Sequence, residues 1–280
     1  MSGGATSIRR ILVGVDASPL SLLALEEALD LAAHLGAEVE ALCVEDVNLT
    51  RLSSHPQALA YCVSTARHLP LDDSLLERAV RVQVRQAVRL VESSAESRGV
   101  QIKIRCSHGQ VAEEVMAAAQ GADLVVLGWM ARPARRLRAK GPRLGSTAGR
   151  VAVGAGPSVY LLQARREPQD AVLAVDDGSA GALSALQTAA HLANASGVGV
   201  VTVLRLPGMR DTAKADKVLH DAHCIGHVQP ITATTPDGLR QAVAHLTAGV
   251  LVLSVELEML KNARLRDALD ELPCSVLLVR

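Results

Sequence analysis

The sequence predicts an α/β fold made of two doubly wound, open parallel-sheet domains. Short apolar runs that end at Gly or Asp alternate with amphipathic helical stretches, the pattern of parallel strands joined by crossover helices. The same order of elements recurs in the two halves of the 280 residues. Both halves also open alike, with a helix-capping serine followed at the same spacing by a stop glycine, Ser18 to Gly36 and Ser179 to Gly197.

The first strand is Ile11 to Val15, β-branched and apolar, with Asp16 at its end. Ser18 and Pro19 start a helix whose Leu22, Leu25, Leu29 and Ala32 repeat at three and four residues and so share a buried face. Val39 to Val44 completes a strand–helix–strand unit, which implies parallel pairing and a right-handed crossover. Residues 45–71 carry Pro56 and Pro70 and no steady period, and read as an irregular excursion. Asp72 to Arg98 is a long helix with Leu76, Ala79, Val80, Val84, Ala87 and Val91 on its apolar side. Gln101 to Cys106 alternates as a strand, Val111 to Ala119 is helical, and Leu124 to Leu127 is a buried strand stopped by Gly128. Ser158 to Leu162 closes the half.

The second half repeats this order. Ala171 to Val175 ends at Asp176, and Leu183, Leu186, Ala190 and Ala193 line the next helix. Val198 to Leu204, a polar segment, a helix from Asp237 to Leu246, the strand Gly249 to Val255 and the closing strand Ser275 to Val279 follow. The expected boundaries are residues 1–165 and 166–280.

Composition narrows the function. A formal net charge of +0 gives no global field toward nucleic acid or membrane. Aromatic residues make up 1%, which argues against base-stacking single-strand binders. Five scattered cysteines without a C-x-x-C read as reduced thiols, mostly core. With no apolar signal core and no run of transmembrane length, the expected location is the cytoplasm.

The stretch Asp123 to Thr147 carries the chemistry. A strand ends at Gly128, an arginine-rich segment follows, and Gly145-Ser146-Thr147 leads into a small-residue helix. A helix start has free N–H groups that hold an anion, so this is the layout of a phosphate site. Arg132, Arg135, Arg136, Arg138, Lys140 and Arg143 offer cations to phosphates, or else form a solvated tip. Trp129 packs under the loop. His220, His223, Cys224 and His227 have offsets that share a helix face, but Gly226 breaks that helix and His227 reads as the start of a strand. No metal site is assigned there.

These residues resemble the universal stress protein family in its tandem form. The resemblance rests on ILVGVDAS with its helix, on DLVVLG before a Gly-Ser helix start, and on GPSVYLL as the closing strand. It implies an adenine nucleotide alpha hydrolase-like fold, with five-stranded parallel sheets that pair through their last strands. Members that bind ATP carry G-x2-G-x9-G-[ST] after the fourth strand, an aspartate ending strand one and an adenine contact ending strand two. Carried over, these are Gly128, Gly145, Ser146 and Thr147, with Asp16 and Val44; Val15 and Leu127 flank them at the strand ends. Ala131 stands at the second glycine, and the Gly-Ser pair arrives four residues late.

The resemblance implies a stress-response regulatory protein that binds ATP or AMP, with or without Mg, in its first domain. Any hydrolysis would be slow and incidental, since no base beyond Asp16 stands near the site. The second half has Ser254 at the expected glycine, no Gly-Ser pair, and an interval to Pro273 ten residues shorter than Gly128 to Pro157. It reads as a non-binding partner in an intramolecular pseudo-dimer, with a further homodimer left open. The alternative function is a scaffold that binds no nucleotide and acts through protein partners.

Overall fold

The computed structural model describes residues 8–48, 51, 59–62, 67–70, 73–129, 146–163, 171–209, 213–246, 248–262, 265–270 and 272–280. The first half holds β1 (Arg10–Gly14), α1 (Pro19–Leu35), β2 (Glu38–Asp46), β3 (Leu59–Cys62), β4 (Arg67–Pro70), α2 (Asp73–Arg98), β5 (Ile102–Gly109), α3 (Val111–Ala119), β6 (Leu124–Gly128), α4 (Ser146–Gly154) and β7 (Ser158–Leu162). The second holds β8 (Ala171–Asp176), α5 (Ala180–Ala195), β9 (Val200–Arg205), α6 (Ala213–Asp221), β10 (Ile225–Pro230), α7 (Pro236–Ala244), β11 (Ala248–Ser254), α8 (Glu258–Asn262), α9 (Leu265–Asp270) and β12 (Ser275–Val279).

Ten strands form one sheet in the order β10-β9-β8-β11-β12-β7-β6-β1-β2-β5. Neighbours within each half are parallel, and among the described residues the only antiparallel pair in this sheet joins the two closing strands, with Leu277 opposite Tyr160. Strand order is therefore symmetric about the β7–β12 seam. The ends of the seam are tied alike. Arg280 N–H donates to Ser158 Oγ at 3.2 Å, and Gln163 N–H donates to Ser275 Oγ at 3.1 Å. The serine that opens each closing strand thus accepts from the residue just past the other, and each pairing covers an edge that would otherwise be open.

Two apolar layers sandwich the sheet. Ile11, Val13, Val126, Ala174 and Val203 face α1, α2, α5 and α6, while Leu12, Val125, Val159, Leu173 and Leu251 face α3, α4, α7 and α9. Each layer runs through both halves. Val13, Val126 and Val159 are fully buried, and burial of such a side chain is worth about 1.5–3 kcal/mol.

Local chemistry sets the helix ends. Ser18 Oγ accepts from Ser21 N–H at 3.2 Å with Pro19 at the first helical position, and Gly36 ends α1 at φ 65°. Ser179 Oγ likewise accepts from Ala182 N–H at 3.0 Å. Ala17 and Gly178, just before the two caps, are both left-handed, at φ 61° and 77°. An alanine held there costs about 1–2 kcal/mol, a strain that Gly178 avoids.

Two sequence expectations are corrected. Residues 45–71 are not wholly irregular: β2 runs to Asp46, and β3 and β4 pair antiparallel as a separate small sheet. Four-residue strands are too short to show a period, and Pro70 tolerates a strand end. The helix carrying His220 ends at Asp221, with His223 left-handed at φ 54°, and β10 begins at Ile225, so Gly226 lies in a strand and does not break the helix. Cys224 points inward, its thiol donating to Asn194 Oδ1 at 3.1 Å. The structure also identifies the counterpart of Asp16. Counting from the caps it is Asp177, because Ser18 N–H donates to Asp16 Oδ1 at 2.9 Å and Ser179 N–H to Asp177 Oδ1 at 3.0 Å. Asp176 takes the place of Val15.

Candidate functional site

A cavity of about 310 Å³ lies outside the C-terminal ends of β1, β2 and β6. The crossover after β1 turns one way across the sheet and β6 lies on its other side, so this is the switch point where doubly wound sheets take ligands. Val15, Asp16, Val44, Leu127, Gly128 and Thr147 all line it. Ser146 opens α4 beside Thr147. Ala131, Gly145 and the basic segment from Arg132 to Arg143 lie outside the described residues.

Asp16 is held by its neighbours. Its carboxylate accepts from Ser18 N–H, its own N–H donates to Ser21 Oγ at 3.2 Å, and its carbonyl accepts from Gln83 Nε2 at 2.7 Å. Partial burial pushes its pKa up, but the Ser18 and Ser21 hydrogen bonds outweigh that and hold it below the ordinary carboxylate value. The charge is thus kept at the mouth of the cavity. It suits a hydroxyl, an amine or a cation, and repels a phosphate.

Gly128 has a packing reason as well as a site position. A Cβ there would stand 2.6 Å from the Leu20 carbonyl carbon and 2.9 Å from Ser21 N, both backbone atoms of the first turn of α1. Trp129, the next residue, is buried, and its backbone N–H donates to Leu162 O at 2.7 Å.

Sequence reading missed Asp46, Gln83 and the walls from α3, Val111 and Val115. Val80, Val84 and Ala87 were legible as the apolar side of α2, and Gln83 was the polar residue set among them. Asp46 stood past the expected end of β2, which runs two residues further than the apolar run.

A larger hollow, about 430 Å³, lies at the opposite ends of β1, β2 and β5. Its rim alternates Arg10, Glu38, Glu40 and Lys103, and Lys103 is paired with Glu40 at 3.8 Å. Strand N-terminal ends bring no free helix N-termini to bear, so the smaller cavity is the candidate.

The second half differs at each corresponding point. Asp176 and its register neighbour Arg205 stand where the first half has Val15 and Cys43, with Arg205 Nε 3.7 Å from Asp176 Oδ2. Ser254 replaces Gly128, and the glycine lies instead on the helix, at Gly181. Glu256 Oε2 is 3.2 Å from where a Gly181 Cβ would stand, so a carboxylate already sits at the start of α5. The stretch from Glu258, which has no Gly-Ser start, forms the short helices α8 and α9.

Among the described residues no helix is long and apolar enough to cross a membrane, and no group of three or more His, Cys, Asp or Glu is placed to hold a metal ion.

Comparison with known proteins places the fold. A universal stress protein from Archaeoglobus fulgidus DSM 4304 is similar over 98% of this chain and 97% of its own, at 16% identity and a TM-score of 0.69. A universal stress protein from Pseudomonas aeruginosa UCBPP-PA14 is similar over 98% and 94%, at 16% identity and a TM-score of 0.55. One universal stress protein, solved in complex with cAMP, aligns with 56% of this chain and 98% of its own, at 22% identity and a TM-score of 0.39. No curated protein sequence matches. The family model described as universal stress protein family matches residues 7–162, more than half of the chain. The chain belongs to the universal stress protein family.

Proposed function

We propose that this chain is a stress-response regulatory protein that holds one adenine nucleotide, ATP or AMP, in its first domain, residues 1–165. The second domain, residues 166–280, serves as a non-binding partner across the seam. The observation that carries this reading is the cavity itself, which joins an apolar slot, a fixed carboxylate and a helix start at one switch point.

The residues present fit such a ligand. Leu42, Val44, Val84 and Val115 offer apolar walls to a purine. Asp16 and Asp46 offer acceptors to ribose hydroxyls or a base amine, and Asp16 stays charged to do so. Phosphates belong on the other side, at Gly128 and the N-terminus of α4 with Thr147, where the first N–H groups of a helix, which have no partner within it, favour an anion. Asp16 would hold Mg when the ion accompanies ATP, and the ion would offset phosphate charge. In the second half, Glu256 at the helix start and the buried Asp176–Arg205 pair take the corresponding space and charge.

The test is extraction. Protein purified without added nucleotide is denatured, and the supernatant is separated by ion-pair chromatography. An adenine nucleotide at up to one equivalent per chain supports the reading. Protein that neither carries a nucleotide nor takes one up from a mixture of ATP, AMP and cAMP refutes it and favours the scaffold.

A further inference from the structure

The nucleotide reading leaves the cysteines unused, and two of them are neighbours. Cys43 on β2 and Cys106 on β5 are register partners in adjacent parallel strands. Such strands lie about 4.8 Å apart, and register partners project their side chains to the same face. Disulfides span Cα separations of about 4.4–6.8 Å, so the backbone already meets that requirement. Cys43 is buried and Cys106 is exposed, so an oxidant reaches one sulfur while the other waits beneath it. Among the described residues β5 is an edge strand of the sheet, paired on one side only, with β2.

We propose that Cys43 and Cys106 form an intrachain disulfide when the protein meets a peroxide. The exposed Cys106 sulfur attacks the peroxide oxygen, breaks the O–O bond and becomes a sulfenic acid as one water leaves. The Cys43 sulfur then attacks Cys106, the S–S bond forms, and the sulfenic oxygen departs as a second water with the Cys43 proton. Two thiols lose two electrons in all, and the peroxide gains them. Burial, then the adjacent Cys106 thiol and the Asp16 carboxylate, push the Cys43 thiol up to about 12, which casts Cys43 as the resolving sulfur and not the first attacker. The bond would tie β2, the strand that presents Leu42 and Val44 to the cavity, to the sheet edge.

Neither cysteine is among the residues lining the nucleotide cavity, so failure of the disulfide would leave that reading untouched. The experiment treats the folded full chain with hydrogen peroxide, blocks remaining thiols with N-ethylmaleimide, and maps peptides by mass spectrometry. The expected result is one linked pair of peptides holding Cys43 and Cys106, lighter by two hydrogens, reversed by a phosphine reductant, in protein that still elutes at its untreated size. Cys106→Ser, a change at an exposed position, removes the linkage. Cys43→Ala keeps Cys106 as a sulfenic acid that dimedone captures. Cys106 of the wild type ending as a dimedone adduct or sulfinic acid without the linked pair, or pairing only between chains, overturns the proposal.

Discussion

Gly128 lies so close to Leu20 that a methyl group on it would stand 2.6 Å from the Leu20 carbonyl carbon. The end of β6 and the first turn of α1 thus touch through bare backbone. In the second half the same contact is closed from the other side: Ser254 keeps its side chain and Gly181, on the helix, gives up its own. A Cβ on Gly181 would overlap Ser254 Oγ. One glycine serves each contact, and its position has been exchanged.

This exchange predicts a measurable coupling. Gly181→Ala should cost about 1–3 kcal/mol through overpacking, and Ser254→Gly in the same chain should recover at least about 1 kcal/mol of it. Gly128→Ala should cost at least as much, with no side-chain rescue, because it meets backbone. Urea unfolding of the four second-half variants gives the cycle, and additive single effects would show that the two residues do not share a contact.

The pair Asp176–Arg205 gives the second prediction. Asp176 is 2% exposed, and its Oδ2 lies 3.7 Å from Arg205 Nε, too far for a hydrogen bond. Removing one partner of a buried pair costs about 3–5 kcal/mol, whereas replacing both with apolar groups is often neutral. Arg205→Ala should therefore destabilise strongly. Asp176→Val with Arg205→Cys, the residues the first half uses, should restore stability. Equal losses in the single and double variants, read from denaturant midpoints, would mean that the pair is not what matters.

The third concerns pH. His191 on α5 has its pKa lowered, first by burial and then by His34 on α1, the helix it meets across the two halves. The folded pKa is depressed, so the unfolded chain binds the proton more readily. Stability is held above about pH 6.5 and lost as pH falls from there through the folded value. The wild type should show a lower urea midpoint at pH 5.5 than at pH 7.5, and His191→Gln should narrow that difference. An unchanged difference in the variant would assign the pH dependence to other groups.

Much of the fold was legible because its signals are local. Ser18, Pro19 and Gly36 bound α1, and the apolar runs of β6, β7 and β12 sit within a residue of where the sequence puts them. The matching serines of SVYLL and SVLLV foretold closing strands of one kind, although only the structure shows each serine bonding past the end of the other strand. Candidate-site residues at strand ends were legible for the same reason. Asp46 and Gln83 were not, since a strand extension and a helix's rotation toward a cavity depend on packing between distant segments. Gly128 shows a subtler gap: one sequence signal, a glycine ending a strand, has a packing cause that sequence alone cannot separate from a ligand's approach.

The basic segment after Trp129 supplies the fourth prediction. If its guanidinium groups grip phosphates, Arg135, Arg136 and Arg138 all changed to Ala should weaken ATP by about tenfold or more while adenosine changes little. Added salt should mimic the effect on the wild type. Equal weakening of both ligands, or none, would assign these side chains to solvent.

Nucleotide binding by the first half alone is tested most directly by the stoichiometry of adenine nucleotide on the full chain, measured by titration calorimetry with ATP and with AMP. One site per chain is expected. Asp16→Asn, which keeps the shape but loses the charge, should lower affinity by about tenfold, the scale of one charged hydrogen bond. Two equivalent sites per chain, or no heat with either nucleotide, would contradict binding by the first half alone.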